Sequence, residues 1–326
     1  MPLRQVVTGQ GDAHCSSSRA LTDSAEKFMK ILVTGSSGFI GARLCQAWSN
    51  RGAEVVGTYG SSPSLVPSGV ARVALDVKDP VAVTTAVGQC RPDVVIHCAA
   101  FASLQGCEDD HQEAEACNRD GSRHVASAAK QVGAAMIYLS TDLVFDGSRG
   151  WYVDAETPQP ACRYGATKYE GEKAVLAECP EACILRLSWV YGTSANEHRC
   201  SAECMIDTLG RGRRVTLFTD EFRTPVLVDD VVGIVEAVAL ARVAGTFHVS
   251  GPRRISRYEF GLLCTKAFAL SEESIVPASG STTASLRPKD CSLVFSSRLR
   301  QLPCECRDPA EGLSYMASSR RRAKQD

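Results

Sequence analysis

The sequence predicts an α/β fold with a doubly wound parallel sheet, and three observations lead to it. Short apolar segments without alternation recur along residues 29–190, and helical patterns separate them. Parallel strands buried on both faces have this character, and right-handed crossovers leave a doubly wound sheet as the simplest topology. A glycine-rich turn follows the first strand, which is typical of the Rossmann type. The regularity weakens after residue 190, so a smaller C-terminal substrate lobe is expected over the open end of the sheet.

Each predicted element follows from apolar periodicity. The predicted strands of the first half are residues 29–34, 54–59, 70–75, 94–98, 135–140 and 182–187. The helices between them are the segment with Phe39, Ile40, Leu44 and Trp48 at helical spacing, and residues 81–90, 114–132 and 163–178. In the second half, short strands are expected at residues 214–218 and 246–249, and helices at residues 228–243 and 256–269.

Composition excludes several functional classes. The 326 residues carry a formal net charge of −1, which gives no general attraction for nucleic acid. No apolar run is long enough to span a membrane. The 15 cysteines are scattered, which favours buried thiols in a reducing compartment, so we expect a cytoplasmic protein. His198, Cys200 and Cys204 match no strong zinc spacing, so no metal site is expected.

The glycine-rich turn predicts a dinucleotide site. Gly35, Gly38 and Gly41 lie between the first strand and the first helix. Glycines let a pyrophosphate approach the backbone, and the helix N-terminus offers unpaired N–H groups and a favourable dipole. The strand–turn–helix context is the one that this motif requires.

The end of the second strand bears on cofactor choice. An acidic residue there would bind a free ribose 2′-hydroxyl and repel a phosphate. Residues 58–62, beginning at Thr58, contain no acid, which favours NADP. They contain no arginine for the phosphate either, so NAD is the alternative.

Three polar residues predict an oxidoreductase site. Tyr164 and Lys168 lie four residues apart, on one face of a predicted helix. An ammonium beside a phenol is expected to lower its pKa from about 10 and prepare it to give a proton to a substrate oxygen. Thr141 follows the fifth strand, where ligands bind in such sheets, and is expected to orient the same carbonyl.

Motifs along the chain resemble the extended short-chain dehydrogenases/reductases, and more narrowly the dTDP-4-dehydrorhamnose reductase family. The resemblance spans about residues 30–293. Its motifs are residues 35–41, 97–100, 140–147, 164–168, 170–172, 186–192, 220–225, 247–252 and 287–288. It implies an NADPH-dependent reductase of a nucleotide-linked 4-keto-6-deoxysugar. No acidic cluster equivalent to the magnesium site of some family members can be placed here.

The resemblance also implies site residues. Besides Thr58, twelve residues are implied to contact the cofactor. They are Gly35, Ser37, Gly38, Phe39, Ile40, Gly41, Asp76, Val77, Ala99, Ala100, Tyr164 and Lys168. The implied substrate residues are Ser188, Trp189, Arg223 and Arg287. Core packing is the alternative for the tryptophan, and a surface or structural ion pair is the alternative for the arginines.

The same family includes the regulatory beta subunit of methionine adenosyltransferase, which binds and tunes a synthetase. Residues 97–100, 171–176 and 245–248 look at least as close to that protein. The alternative function is therefore a non-catalytic NADP-binding subunit. The expected partners are a nucleotide sugar, or the catalytic subunit of methionine adenosyltransferase, with a homodimer as a further candidate.

The domain organisation follows from these assignments. Residues 1–28 are expected to be a disordered extension, and residues 29–190 an NAD(P)-binding Rossmann domain. Residues 191–312 are expected to form the smaller substrate-binding lobe, interleaved with the sheet. Residues 313–326, with three consecutive arginines at 320–322, are expected to be a solvated basic tail.

Overall fold

The computed structural model describes residues 29–196, 200–280 and 287–322. Its centre is a seven-stranded sheet in the order β3-β2-β1-β4-β5-β6-β11, with every pair parallel. The strands are β1 (Lys30–Thr34), β2 (Glu54–Tyr59), β3 (Ala71–Ala74), β4 (Val94–His97), β5 (Ala135–Thr141), β6 (Cys183–Leu187) and β11 (Gly245–Val249). The predicted doubly wound parallel sheet is confirmed. Its order reverses between β1 and β4, the switch point where such sheets bind ligands.

Helices cover both faces of this sheet. On one face, α1 (Phe39–Asn50) and α8 (Val228–Ala241) bury side chains against Ile31 and Val33. On the other face, α2 (Pro80–Cys90), α5 (Ser122–Val132) and α6 (Arg163–Glu178) pack on Leu32. Successive side chains of β1 therefore enter opposite cores, which explains why its sequence is apolar without alternation. Burial of each of these side chains contributes about 1.5–3 kcal/mol.

The segment between β4 and α5 departs from the predicted helix 114–132. It contains α3 (Leu104–Asp109), α4 (His111–Glu115) and a π-helical segment at Ala116–Gly121. Such widened turns occur inside helices, frequently at functional sites. This one lies beside the groove described below, and its Asn118 is fully buried.

The second half of the chain adds a strand to the central sheet and forms a smaller group of elements beside it. Strand β11, which the sequence could not assign to a sheet, pairs with β6 at the edge of the central sheet. The remaining elements form a smaller group with its own apolar core. They are β7 (Val190–Tyr191), α7 (Ser201–Gly210), β8 (Val215–Phe218), β9 (Phe222–Arg223), β10 (Val226–Leu227), β12 (Ile255–Ser256), α9 (Arg257–Phe268), β13 (Ile275–Ala278) and α10 (Pro309–Arg322).

The C-terminal segment differs from the expected solvated tail. Residues up to 322 form α10, whose Leu313 and Met316 are buried. Arg320 lies 2.8 Å from Glu203 across the interface with α7, so the arginine run ends a packed helix. Within the described part of the chain, no helix is long and apolar enough to cross a membrane.

Candidate active site

A groove of about 1150 Å³ runs along the carboxyl ends of the central strands. Every residue that the sequence assigned to a cofactor lies in its wall. These residues are Gly35, Ser37, Gly38, Phe39, Ile40, Gly41, Thr58, Asp76, Val77, Ala99, Ala100, Tyr164 and Lys168. The groove crosses the switch point between β1 and β4, so the turn after β1 forms its middle.

The glycines of this turn are required by close backbone approach. Gly35 has a φ of +67°, and a Cβ there would lie 2.7 Å from the amide nitrogen of Ala99. A Cβ on Gly41 would collide with the Gly35 carbonyl oxygen. A side chain at either position would therefore displace the backbone of the turn.

The N-terminus of α1 is open toward the groove. Gly38 is its N-cap and provides no side-chain hydrogen bond, and the first turn carries no acidic residue. Unpaired N–H groups at a helix start attract anions, and an acid there would repel them. The Asn196 side chain donates to the Ser37 carbonyl at 3.1 Å and fixes the outer edge of the turn.

A buried polar chain supports the floor of the groove. Thr34 Oγ1 lies 2.5 Å from His97 Nδ1, and His97 Nε2 lies 3.1 Å from Ser122 Oγ. Ser122 Oγ donates its hydrogen to the Asn118 carbonyl, so it must accept a hydrogen bond from His97 Nε2. His97 is therefore the Nε2–H tautomer, and its Nδ1 accepts a hydrogen bond from the Thr34 hydroxyl. Burial, and then the charge of Lys168, lowers the pKa of His97 to about 3. The ring is therefore neutral and ties β1 to β4.

The sequence reasoning missed Asn118. Its amide accepts from the Phe101 backbone N–H at 2.8 Å and donates to the Thr167 hydroxyl at 3.0 Å. It thus connects the loop after β4 to α6, the helix that carries Tyr164 and Lys168. No motif indicated this role, because it depends on the π-helical segment.

Lys168 and Tyr164 both line the groove, but their electrostatics differ from the expectation. Burial, and then the charge of Asp142, raises the pKa of Tyr164. Burial lowers the pKa of Lys168 to about 8. The Lys168 ammonium lies 4.0 Å from the centroid of the Tyr138 ring. The prediction that Lys168 lowers the pKa of Tyr164 is therefore wrong, because burial dominates both groups.

A smaller cavity of about 220 Å³ continues from the groove toward the second half of the chain. Ile40, Ser140, Tyr164 and Leu187 line both spaces, so the two are continuous. The predicted substrate and proton-transfer residues meet here. The cavity wall includes Thr141, Tyr164, Ser188, Trp189, Arg223 and Arg287.

Arg223 is the most buried arginine of this cavity. Its side chain is 3% exposed and lies 3.4 Å from the Asp142 carboxylate. It also donates to the Pro288 carbonyl at 3.0 Å. Asp142 in turn accepts from Ser188 Oγ, so the pair joins the end of β5 to β9.

Arg257 was missed by the sequence reasoning. It is the first residue of α9, and its guanidinium lies 3.5 Å from the centroid of the Trp189 ring. Its Nε lies 2.9 Å from Glu221, and burial lowers its pKa to about 10, so it remains a cation. Sequence alone could not pair Arg257 with Trp189, because only the fold brings α9 to the end of β6.

The cavity carries more positive than negative side chains. Arg223, Arg257 and Arg287 all lie within 4 Å of Glu221. Asp142 is the other acid, and burial, opposed by Arg223, raises its pKa. Three guanidinium groups around two carboxylates give a net positive site suited to an anionic group.

A buried ion pair lies behind the groove. Glu172, one turn after Lys168 on α6, accepts from Arg186 of β6 at 2.7 Å and from Ser140 Oγ at 2.5 Å. The Glu172 and Arg186 side chains are 3% and 6% exposed. Arg186 also lies 3.5 Å from His248 on β11. These contacts fix α6 to three strands of the sheet.

The candidate zinc ligands do not come together among the residues that the structure describes. Cys200 donates to the Gly192 carbonyl, and Cys204 is exposed. His198 lies outside the described residues. In the described ranges, no group of three histidine, cysteine or acidic side chains is arranged to hold a metal ion.

Comparison with known proteins gives a consistent result. A family model described as the RmlD substrate binding domain matches residues 29–319. The dTDP-4-dehydrorhamnose reductase of Streptomyces griseus is 35% identical over 217 residues, 66% of each chain. Subunit beta of methionine adenosyltransferase 2 from Bos taurus is 29% identical over 289 residues, 86% of this chain and 84% of that protein.

A solved structure resembles the whole fold. It is dTDP-4-dehydrorhamnose reductase from Bacillus anthracis in complex with NADP, 26% identical, with a TM-score of 0.80. The match covers 90% of this chain and 99% of that one. The chain therefore belongs to the RmlD substrate-binding-domain family.

Proposed function

We propose that this protein is an NADPH-dependent reductase of a nucleotide-linked 4-keto-6-deoxysugar. One observation carries the proposal: a groove of dinucleotide size continues into a cationic cavity, and Tyr164 lines both. A hydride donor in the groove and a carbonyl in the cavity would meet at this phenol. The reductase relatives support the reaction class.

The residues of the groove fit a dinucleotide phosphate. The turn at Gly35 and Gly41 has no room for side chains, and the uncapped start of α1 faces the groove. The wall at Thr58 carries no acid, which favours NADP over NAD. The NADP-bound relative supports the same choice. When bound, the reduced nicotinamide supplies the hydride.

Tyr164 is proposed to donate the proton to the carbonyl oxygen. Its raised pKa keeps the phenol protonated at neutral pH, as a donor requires. Thr141 lines the same cavity, and its hydroxyl, which donates to Asp142 Oδ1 at 3.2 Å in the structure, would orient that oxygen. Lys168, still largely cationic near neutral pH, would donate hydrogen bonds to the nicotinamide ribose.

The arginine-rich part of the cavity is proposed to hold the diphosphate of the sugar nucleotide. Arg257 and Arg287 would provide planar, bidentate donors for phosphate oxygens. Arg223, held by Asp142, would contribute its charge from behind. Trp189, fixed by a 3.0 Å hydrogen bond to Ser201, would present its ring to the sugar.

The test is NADPH oxidation with dTDP-4-keto-6-deoxymannose, followed at 340 nm. The wild type should consume NADPH, and Tyr164→Phe should reduce kcat by about 10²–10⁴-fold because it removes the acid. Tyr164→Phe should still bind NADPH. If the wild type oxidises no NADPH with any dTDP- or UDP-linked 4-keto sugar, the proposal fails.

The second candidate is a regulatory subunit of methionine adenosyltransferase. It is supported by the bovine beta subunit, whose match extends over 86% of this chain. Purified protein would be mixed with a methionine adenosyltransferase catalytic subunit and analysed by size-exclusion chromatography. Co-elution and altered synthetase kinetics would support it, and separate elution at micromolar concentration would exclude it.

A further inference from the structure

The face of Tyr138 forms the floor beneath the Lys168 ammonium. Tyr138 lies on β5 and is fully buried, and Lys168 Nζ is 4.0 Å from its ring centroid. Among the described residues, no carboxylate or carbonyl accepts a hydrogen bond from this ammonium. Cations within about 6 Å of an aromatic face are attracted by its negative quadrupole, and the attraction increases when water is excluded.

The ring itself cannot move easily. A Cβ on Gly171 of α6 would collide with the Tyr138 hydroxyl, so helix and ring are in close contact. The His97 ring stacks on Tyr138 with centroids 5.6 Å apart. The Tyr138 hydroxyl lies 3.4 Å from the Lys168 carbonyl, at the long end of the hydrogen-bonding range. Packing of the ring, together with a hydrogen bond between its hydroxyl and Ser122, therefore holds this position.

Few other charges face Lys168. Glu172, on the same helix, raises its pKa, but that carboxylate is already bound by Arg186 and Ser140. The thiols of Cys98 and Cys117 face it from the loop after β4 and from the π-helical segment, and both are protonated at neutral pH because burial raises their pKa. His97 is neutral, as described above.

We propose that Tyr138 is a positioning residue that holds Lys168 in its cationic, cofactor-facing position through the face of its ring. The proposal rests on the proposed function only for the consequence in catalysis. Removal of the ring should lower the pKa of Lys168, because burial remains and the aromatic attraction is lost. Removal of the ring should also let the Lys168 side chain leave its position over the groove floor.

The direct test is NMR of protein labelled with ¹³C at lysine Cε, with the Lys168 signal assigned through Lys168→Met. In the wild type, the Lys168 Cε protons should be shifted upfield by the Tyr138 ring current. Tyr138→Leu should abolish that shift and lower the apparent pKa of Lys168 by about one unit. Tyr138→Phe should keep both properties.

Two outcomes would overturn the proposal. One is a wild-type Lys168 signal without a ring-current shift, a result that needs no Tyr138 variant to fold. The other is a Lys168 pKa that is unchanged in Tyr138→Leu, or lowered equally in Tyr138→Phe. Phe247→Leu is the packing control: it removes a buried ring from β11 of the same sheet and should leave the Lys168 signal unchanged.

Kinetics separate this inference from the proposed function. In an active enzyme, Tyr138→Leu should move the alkaline limb of kcat/KM for NADPH about one pH unit lower, while Tyr138→Phe keeps the wild-type profile. An unmoved limb in Tyr138→Leu would contradict the inference. An inactive wild type with the expected NMR signature would refute the reductase function and leave the aromatic support of Lys168 established.

Discussion

The buried Glu172–Arg186 pair allows a quantitative prediction about the support of the active-site helix. Glu172→Met removes the carboxylate and leaves the Arg186 guanidinium, which is 6% exposed, without its acidic partner. Arg186 would keep its contact with His248 at 3.5 Å, which is too long to compensate. An uncompensated buried charge of this kind costs about 3–5 kcal/mol.

The double variant Glu172→Met/Arg186→Met distinguishes a charge effect from lost packing. Two apolar side chains of similar length remove both charges together, and such replacements of buried pairs are often neutral or stabilising. Ser140 would lose its acceptor, at a cost of about 1 kcal/mol. The double variant should therefore be more stable than either single variant, with a coupling energy above about 2 kcal/mol.

Urea unfolding followed by circular dichroism measures these free energies, and thermal melting gives a second measure. For a chain of this size, loss of about 4 kcal/mol should lower the Tm by roughly 10 °C. A single variant that costs less than about 1 kcal/mol, or a double variant whose loss equals the sum of the singles, would refute the reasoning. Either result would mean that this ion pair does not anchor α6 to the sheet.

Three further predictions concern the groove, the cavity and pH. In a fluorescence titration, Gly41→Ala should weaken NADPH binding by more than tenfold, because the new Cβ would collide with the turn. The control variant Gly88→Ala, whose new Cβ has nothing within 4 Å, should bind NADPH as the wild type does. Arg257→Lys should raise KM for the sugar nucleotide about tenfold or more, because it loses bidentate donors, and leave KM for NADPH unchanged; equal changes in both would contradict the assignment. The pKa of His97 is about 3 in the folded protein and about 6.5 in the unfolded chain. As the pH falls below 6.5 the unfolded chain therefore binds a proton that the folded protein does not, and the free energy of unfolding decreases. Between pH 7 and 4.5 that loss should be about 2–3 kcal/mol, and urea unfolding of His97→Gln should show a correspondingly smaller decrease.

Local sequence patterns were sufficient to predict the sheet and the groove. A strand buried on both faces is apolar at consecutive positions, as residues 31–33 of β1 and 94–96 of β4 are, so its type can be recognised without knowing its neighbours. The glycine turn is recognisable because only glycine fits where backbones approach so closely. Tyr164 and Lys168 are linked by helical spacing, which is also a local property.

Features that depend on distant contacts could not be predicted. Arg257 and Trp189 are far apart in sequence, and only the folded chain places one over the other. Arg320 reads as part of a solvated basic run until Glu203 is found across the interface. In each case, the partner lies on another element whose position no periodicity reveals.

The electrostatics of the phenol were missed for a related reason. The sequence places Lys168 four residues from Tyr164 but does not show that Lys168 is buried and Tyr164 partly buried. In the folded protein burial raises the pKa of Tyr164, and Lys168 faces Tyr138. A protonated phenol is nevertheless the form that a proton donor requires.

The most direct test of the proposed reaction is transfer of deuterium from the cofactor to the sugar. Wild-type protein would be incubated with both C4 stereoisomers of [4-²H]NADPH and dTDP-4-keto-6-deoxymannose, and the sugar product analysed by mass spectrometry. We predict one deuterium at C4 of the sugar from one isomer and none from the other. Binding of both ligands without any transfer of deuterium would contradict the account.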